Sequence, residues 1–292
     1  MIKIVVIGII VLVVAFGIYE SLPSIAKSNG QEDYGISVHN LNLTDVKLVK
    51  NLGVTWVRSD VGSYNWNNVY VYAELNNLDI LGILDYASVP HNFTLQQWNQ
   101  SVRQYAIQYP NVNAWEIWNE PIATYSYDGY QNGSPINYFN MVKSAYELIK
   151  SVNSKAEIVA LGGFYPTYND ISWINDLISL GIGKYSNAIS LHLYPFAVGN
   201  NTDLALQTYE GIISGIKALT SESIWVTETG TIQSEQTNYI PIIYGNLIKD
   251  GITHIFWYDL YHTGGSIYNT ALIQTNGQPS AGYYELQKYI GG

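Results

Sequence analysis

From Tyr34 onward, short apolar runs alternate with longer stretches whose apolar residues recur every three or four positions, the rhythm of strands each followed by an amphipathic helix. Eight such units can be counted. The pattern predicts strands at Tyr34 to His39, Val54 to Arg58, Ile80 to Tyr86, Ala114 to Asn119, Glu157 to Leu161, Ala188 to Tyr194, Ile224 to Glu228 and His254 to Asp259. It predicts helices near Asp45 to Leu52, Val69 to Asn77, Leu95 to Tyr109, Ile136 to Val152, Asp170 to Leu180, Leu204 to Leu219, Tyr239 to Lys249 and Ala281 to Ile290. Gly53, Gly181 and Gly251 fall just after helical runs, where a residue tolerant of left-handed backbone commonly ends a helix.

Eight units without a linker-like break predict an α/β fold of the (β/α)8 TIM barrel type, one catalytic domain over residues 30–292. An open doubly wound sheet is the alternative, but its Gly-rich phosphate loop is missing from the first βα junction. In a barrel the chemistry sits where strands end and βα loops begin. The polar and aromatic residues there are Arg58, Asn119, Glu120, His192, Tyr194, Glu228 and Trp257.

Two segments stand out. Asn113-Ala114-Trp115-Glu116-Ile117-Trp118-Asn119-Glu120-Pro121 runs apolar and aromatic until Pro121, which cannot continue a central strand, so Glu120 stands at the barrel mouth. Ser223-Ile224-Trp225-Val226-Thr227-Glu228-Thr229-Gly230 repeats the design three strands later and brings Glu228 across the mouth toward Glu120. Taken singly, Glu120 reads as a helix-start carboxylate and Glu228 as a solvated loop acid. Together, in the expected strands, they read as a catalytic pair.

Trp-Asn-Glu-Pro ending strand four and Thr-Glu-Thr-Gly ending strand seven resemble the clan A retaining glycoside hydrolases, such as the cellulase-like family 5 and the xylosidase-like family 39. The resemblance extends to Leu52-Gly53-Val54-Thr55-Trp56-Val57-Arg58, His192-Leu193-Tyr194 and Phe256-Trp257-Tyr258, and so spans the barrel. It implies that Glu120 is the acid/base, Glu228 the nucleophile and Asn119 the holder of the sugar 2-hydroxyl. It also sets Arg58 beside the nucleophile, lets Tyr194 donate to the same carboxylate, and makes Trp257 the floor of the first sugar subsite. Two carboxylates ~5 Å apart can cleave a glycosidic bond by double displacement with retention, whereas inversion needs roughly 6.5 to 9.5 Å.

The function expected is therefore a retaining β-glycosidase or endoglycanase acting on a β-linked polysaccharide or oligosaccharide. The alternatives are a non-catalytic glycan-binding surface protein on the same barrel and a transglycosylase. Strand alternation puts Ser190, His192 and Tyr194 on one face, expected to point inward, and aims Glu116 the same way as Trp118 and Glu120. Glu116 is then a buried carboxylate below the site, with Arg58 as a candidate partner; an Arg58 pair with Asp60 is the blander reading. His91, after strand three, reads as a surface-loop histidine. Tyr125, Tyr127 and Tyr130, after Glu120, are candidates for a sugar-binding stripe. His39, His254 and His262 have no metal-ligand spacing and no Asp cluster suggests calcium, so no metal and no other cofactor is expected.

Composition narrows the classes. The chain is 47% hydrophobic and 14% aromatic, which fits an ordered globular protein. Only 12% is charged, so hydroxyls and amides supply the polar surface, which suits a carbohydrate substrate. A net charge of -10 with 13 Lys and Arg argues against a nucleic-acid partner. The absence of Cys removes disulfides and thiolate metal sites. Lys3 precedes an apolar run from Ile4 to Ile18, so residues 1–20 are expected to be a signal peptide or an N-terminal membrane anchor, giving an extracellular or cell-surface location. Sequons at Asn42, Asn92, Asn99, Asn132 and Asn200 are compatible with export.

Overall fold

Every apolar run of the eight units is a strand in the computed structural model, which describes residues 32–122, 133–166, 171–195, 202–262 and 268–291. The strands are β1 Asp33–Ser37, β2 Trp56–Asp60, β3 Asp79–Leu84, β4 Ala114–Ile117, β5 Glu157–Phe164, β6 Ala188–Leu193, β7 Ser223–Thr229 and β8 His254–Trp257. Each pairs in parallel with the next and β1 closes on β8, giving the eight-stranded barrel expected from the sequence. Around it lie α1 Leu43–Leu52, α2 Trp66–Leu75, α3 Leu95–Gln108, α4 Pro135–Val152, α5 Ser172–Leu180, α6 Thr202–Leu219, α7 Gln236–Lys249 and α8 Ala281–Gly291. Residues 1–20, the tyrosines at 125, 127 and 130, and the sequons at 132 and 200 lie outside the described residues.

Helix ends follow local chemistry. Asn42 and Asp45 form a reciprocal capping box on α1, and Thr94 and Gln97 do the same on α3, each such cap contributing about 1 kcal/mol. Gly53 and Gly181 end α1 and α5 in the left-handed conformation (φ 85° and 86°). Helices bury one stripe against the strands; on α3 that stripe is Trp98, Val102 and Ala106, spaced by four.

Inside the barrel a separate apolar cluster draws one residue from each of seven strands: Trp56, Leu81, Ala114, Val159, Ala188, Trp225 and Phe256. Trp225 lies edge-on to Trp56 (5.6 Å, 72°) and stacks on His254 (3.8 Å, 8°). This plug fills the interior below the mouth. The next inward positions, two residues further along β2, β4 and β7, are Arg58, Glu116 and Thr227, all buried and polar.

Candidate active site

The strand that carries Glu120 reaches the mouth by leaving regular geometry. Trp118 and Glu120 both adopt positive φ (68° and 45°), rare for residues with side chains and worth roughly 1–3 kcal/mol of strain each. The first turn sends Trp118 out of the interior, where its ring packs 5.3 Å from Phe93 and 6.3 Å from Trp98. The second brings Glu120 back in, with its N–H donating to the Gly162 carbonyl at 2.6 Å. Alternation thus holds for Glu116 and fails at Trp118.

Gly162 belongs to an irregular stretch of β5, where Leu161, Gly162 and Gly163 have φ of 73°, 54° and 70° and the register with β6 shifts. Ser190 of β6 ties this stretch down, accepting from the Gly163 N–H (2.7 Å) and donating to the Ala160 carbonyl (3.1 Å). A Cβ on Gly163 would lie 2.0 Å from His192 Nε2, so only glycine leaves room for that imidazole. The bulge therefore fixes both the Glu120 backbone and the slot for His192.

β7 carries a second irregularity. Leu191 pairs with Val226 but His192 pairs with Glu228, so one extra residue has entered β7. The step lets two consecutive residues serve the interior: the Thr227 hydroxyl donates to Glu116 Oε1 (2.8 Å), and Glu228 accepts from Arg58.

At the centre stands Arg58, 2% exposed. Its Nε donates to Glu116 Oε2 (2.6 Å), its Nη1 to Glu228 Oε1 (2.7 Å) and its Nη2 to Asn119 Oδ1 (3.3 Å). Burial opposes its charge, but Glu116 and then Glu228 outweigh that and hold the proton more firmly than in water. The Tyr194 hydroxyl donates to Glu228 Oε2 at 2.6 Å. Burial first, and the Glu228 charge second, push that phenol well above its ordinary range, so it stays a donor. Glu116 is thus the Arg58 partner, rather than Asp60.

His192 links the two catalytic candidates. Its Nδ1 lies 2.9 Å from Glu120 Oε1 and its Nε2 3.5 Å from Glu228 Oε1. Burial would lower the affinity of this imidazole for a proton; Glu228 and the contact with Glu120 outweigh it and raise the affinity. Glu120, His192 and Glu228 each offer one atom within 4.8 Å of the others, the one group among the described residues with metal-ligand spacing. Sequence spacing hid it because three strands contribute. Arg58 already supplies a fixed cation 2.7 Å from Glu228, which disfavours a second cation there.

The structure gathers Arg58, Asn119, Glu120, His192, Tyr194 and Glu228 in one cluster and leaves out Trp257. That ring is 0% exposed on the outer face of β8, stacked on Tyr244 of α7, with its N–H donating to the Thr270 carbonyl (2.9 Å). Trp257 is therefore not the subsite floor. Among the described residues, Tyr258 joins Tyr194 at the mouth, edge-on to Tyr194 (6.5 Å) and His39 (5.9 Å). Alternation from Phe256 marks Tyr258 as inward, and that signal was available in the sequence.

Two further features border the cluster. Asp259, 1% exposed, has no hydrogen bond from any described residue to either carboxylate oxygen; Oδ2 lies 3.7 Å from His39 Nε2. Burial pushes this carboxyl up to about 7, with His39 opposing and Glu228 adding to the rise. On the β3 side, a recess of about 220 Å³ is lined by Tyr86, Val89, Pro90, His91, Asn92, Phe93 and Trp118, so His91, an exposed loop residue as expected, also borders a concavity.

Comparison with known proteins agrees on the fold. A glucosidase from Croceicoccus marinus superposes with a TM-score of 0.71 at 13% identity, covering 91% of this chain and 68% of that one. An endo-1,4-beta-mannanase from Rhizomucor miehei gives 0.63 at 13% identity, covering 92% and 99%. A fungal beta-1,4-galactanase gives 0.66 at 15% identity, covering 88% and 99%. No protein-family model and no curated protein matches the chain in sequence. At these identities the likeness establishes the barrel shared with glycoside hydrolases, as the strand-end motifs led one to expect.

Proposed function

We propose that the protein is a retaining β-glycosidase or endoglycanase in which Glu228 is the nucleophile and Glu120 the acid/base. The observation that carries this reading is the pair itself: one oxygen of each carboxylate lies within 4.8 Å of the other, on the side of double displacement rather than inversion. Their surroundings differ as the two roles require. Glu228 accepts from Arg58 and Tyr194 on its two oxygens, which keeps it oriented and available to attack the anomeric carbon. Glu120 faces His192 across 2.9 Å, so a proton can reside on that contact, pass to the departing glycosidic oxygen, and be recovered from the attacking water in the second step. Asn119, which accepts from Arg58, is in this reading the residue that meets the sugar hydroxyl next to the reacting carbon. Export by the apolar N-terminal run is part of the same reading.

The test is a panel of mechanism-based glycosyl fluorides and epoxides with intact mass and peptide mapping. Attachment of one glycosyl unit to Glu228 is expected, and attachment elsewhere rejects the nucleophile assignment. Glu228→Gln should lower turnover by about 10⁴-fold or more. Glu120→Ala should spare the first step for substrates with good leaving groups and respond to azide.

A further inference from the structure

The basic residues of this chain are sorted by barrel end. Of the 13 Lys and Arg, Arg58 alone lies in a strand or in a segment leading from a strand to the following helix. Lys3 and Lys27 precede β1, and the others lie in helices or in the turns leading back to strands. Lys50, Lys150, Lys217, Lys249 and Lys288 occupy the last turns of their helices, at the end away from the mouth. In the sequence the eight strand-to-helix segments hold Asp85, Glu120, Asp128, Asp170, Glu235 and Asp259, no Lys or Arg, and three histidines, His39, His91 and His262. Asp60 and Glu228 add two more acids at strand ends.

The one Lys or Arg of that end is already engaged. Arg58 is 2% exposed, and each of its three nitrogens already has a partner in Glu116, Glu228 or Asn119, with Nη2 also 3.4 Å from His192 Nε2. His39 lies between Asp60 (3.8 Å) and Asp259 (3.7 Å), and His192 between Glu120 and Glu228. An approaching carboxylate or sulfate would meet the charges of Asp60 and Glu228 within a screening length of ~8–10 Å and, among the described residues of that end, no Lys or Arg that is not already paired.

From this charge sorting, and resting on the glycosidase reading, we infer that the substrate is a glycan free of carboxylate, sulfate and phosphate groups, and that the enzyme rejects anionic glycans by charge rather than by shape. Uncharged hydroxyls donate readily to the carboxylates of the mouth; anionic substituents do not.

The test uses the full chain carrying Glu228→Gln and β-linked glucan, mannan, galactan and xylan, each as its hydroxyethyl ether and its carboxymethyl ether, two substituents of similar size and different charge. For whichever backbone binds, the carboxymethyl form should bind roughly tenfold more weakly at about 20 mM salt, and the gap should close to about twofold at about 500 mM. Asp60→Asn added to Glu228→Gln should narrow the gap at low salt. Equal or tighter binding of the carboxymethyl form at low salt overturns the inference while leaving the glycosidase reading in place. If no backbone binds and the mechanism-based reagents leave Glu228 of the unaltered protein unlabelled, the glycosidase reading fails and this inference falls with it.

Discussion

Two layers of the barrel interior lie two residues apart on the same strands and do different work. In the lower layer Trp56, Ala114 and Trp225 belong to an apolar plug; in the upper one Arg58, Glu116 and Thr227 form a hydrogen-bonded ion network. The plug is non-directional, and its worth scales with the area and volume it fills. The network is directional: its net contribution to stability is small, but removing one member strands the others. Packing tolerates substitution by degree, whereas the ion layer fails member by member.

Five substitutions would break that comparison or sharpen it. Glu116→Ala should have the largest effect, leaving Arg58 buried with a single carboxylate and the Thr227 hydroxyl without its acceptor. Denaturant unfolding should show a loss of about 3–5 kcal/mol, with turnover falling as well because Arg58 is free to re-aim. Trp225→Ala should cost a similar 3–5 kcal/mol by opening a cavity, yet leave turnover per folded molecule nearly unchanged. Equal activity losses in the two variants would erase the distinction between the layers. Gly163→Ala should cost about 1–3 kcal/mol and lower kcat more than KM, since the new methyl displaces His192 rather than the substrate contacts. Ser190→Ala, which loosens the same bulge without a clash, should act in the same direction more weakly.

The last substitution concerns Asp259. Its carboxyl is raised in the folded state to about 7 from an ordinary value of 3.8, so the folded protein binds this proton more tightly than the unfolded chain does. The contribution is fully present below about pH 4 and is lost as pH rises through about 7. Asp259→Asn should therefore raise Tm relative to the unaltered protein at pH 8 and change it little at pH 4. Equal Tm gains at both pH values would show that the carboxyl is not raised.

The sequence announced the barrel because the parts that define it are periodic. All eight strands and eight helices overlap their predicted positions, with ends displaced by a few residues where polar strand ends continue into loops. Arg58 and Glu116 were legible together, since both follow an inward Trp or Ala by two. What alternation could not deliver were the places where alternation stops. The positive φ of Trp118 and Glu120, the β5 bulge at Leu161 to Gly163 and the extra residue in β7 each re-aim a side chain, and only the paired glycines 162 and 163 left a visible trace. Trp257 differs in the opposite way: there alternation holds and turns the ring toward α7, away from the place that the motif resemblance implies.

The extra residue in β7 has a consequence for how the chain tolerates insertion and deletion. Thr227 and Glu228 are neighbours in sequence yet both serve the interior, so the site depends on a count as well as on identities. Losing one residue between Trp225 and Glu228 would restore a regular strand and leave a single inward place where two groups are needed. Either Glu116 would lose its hydroxyl donor or Glu228 would turn toward the helices. A deletion that keeps every residue named in the cluster would still erase the cluster, and reading-frame-preserving indels in this strand should be among the least tolerated changes in the barrel.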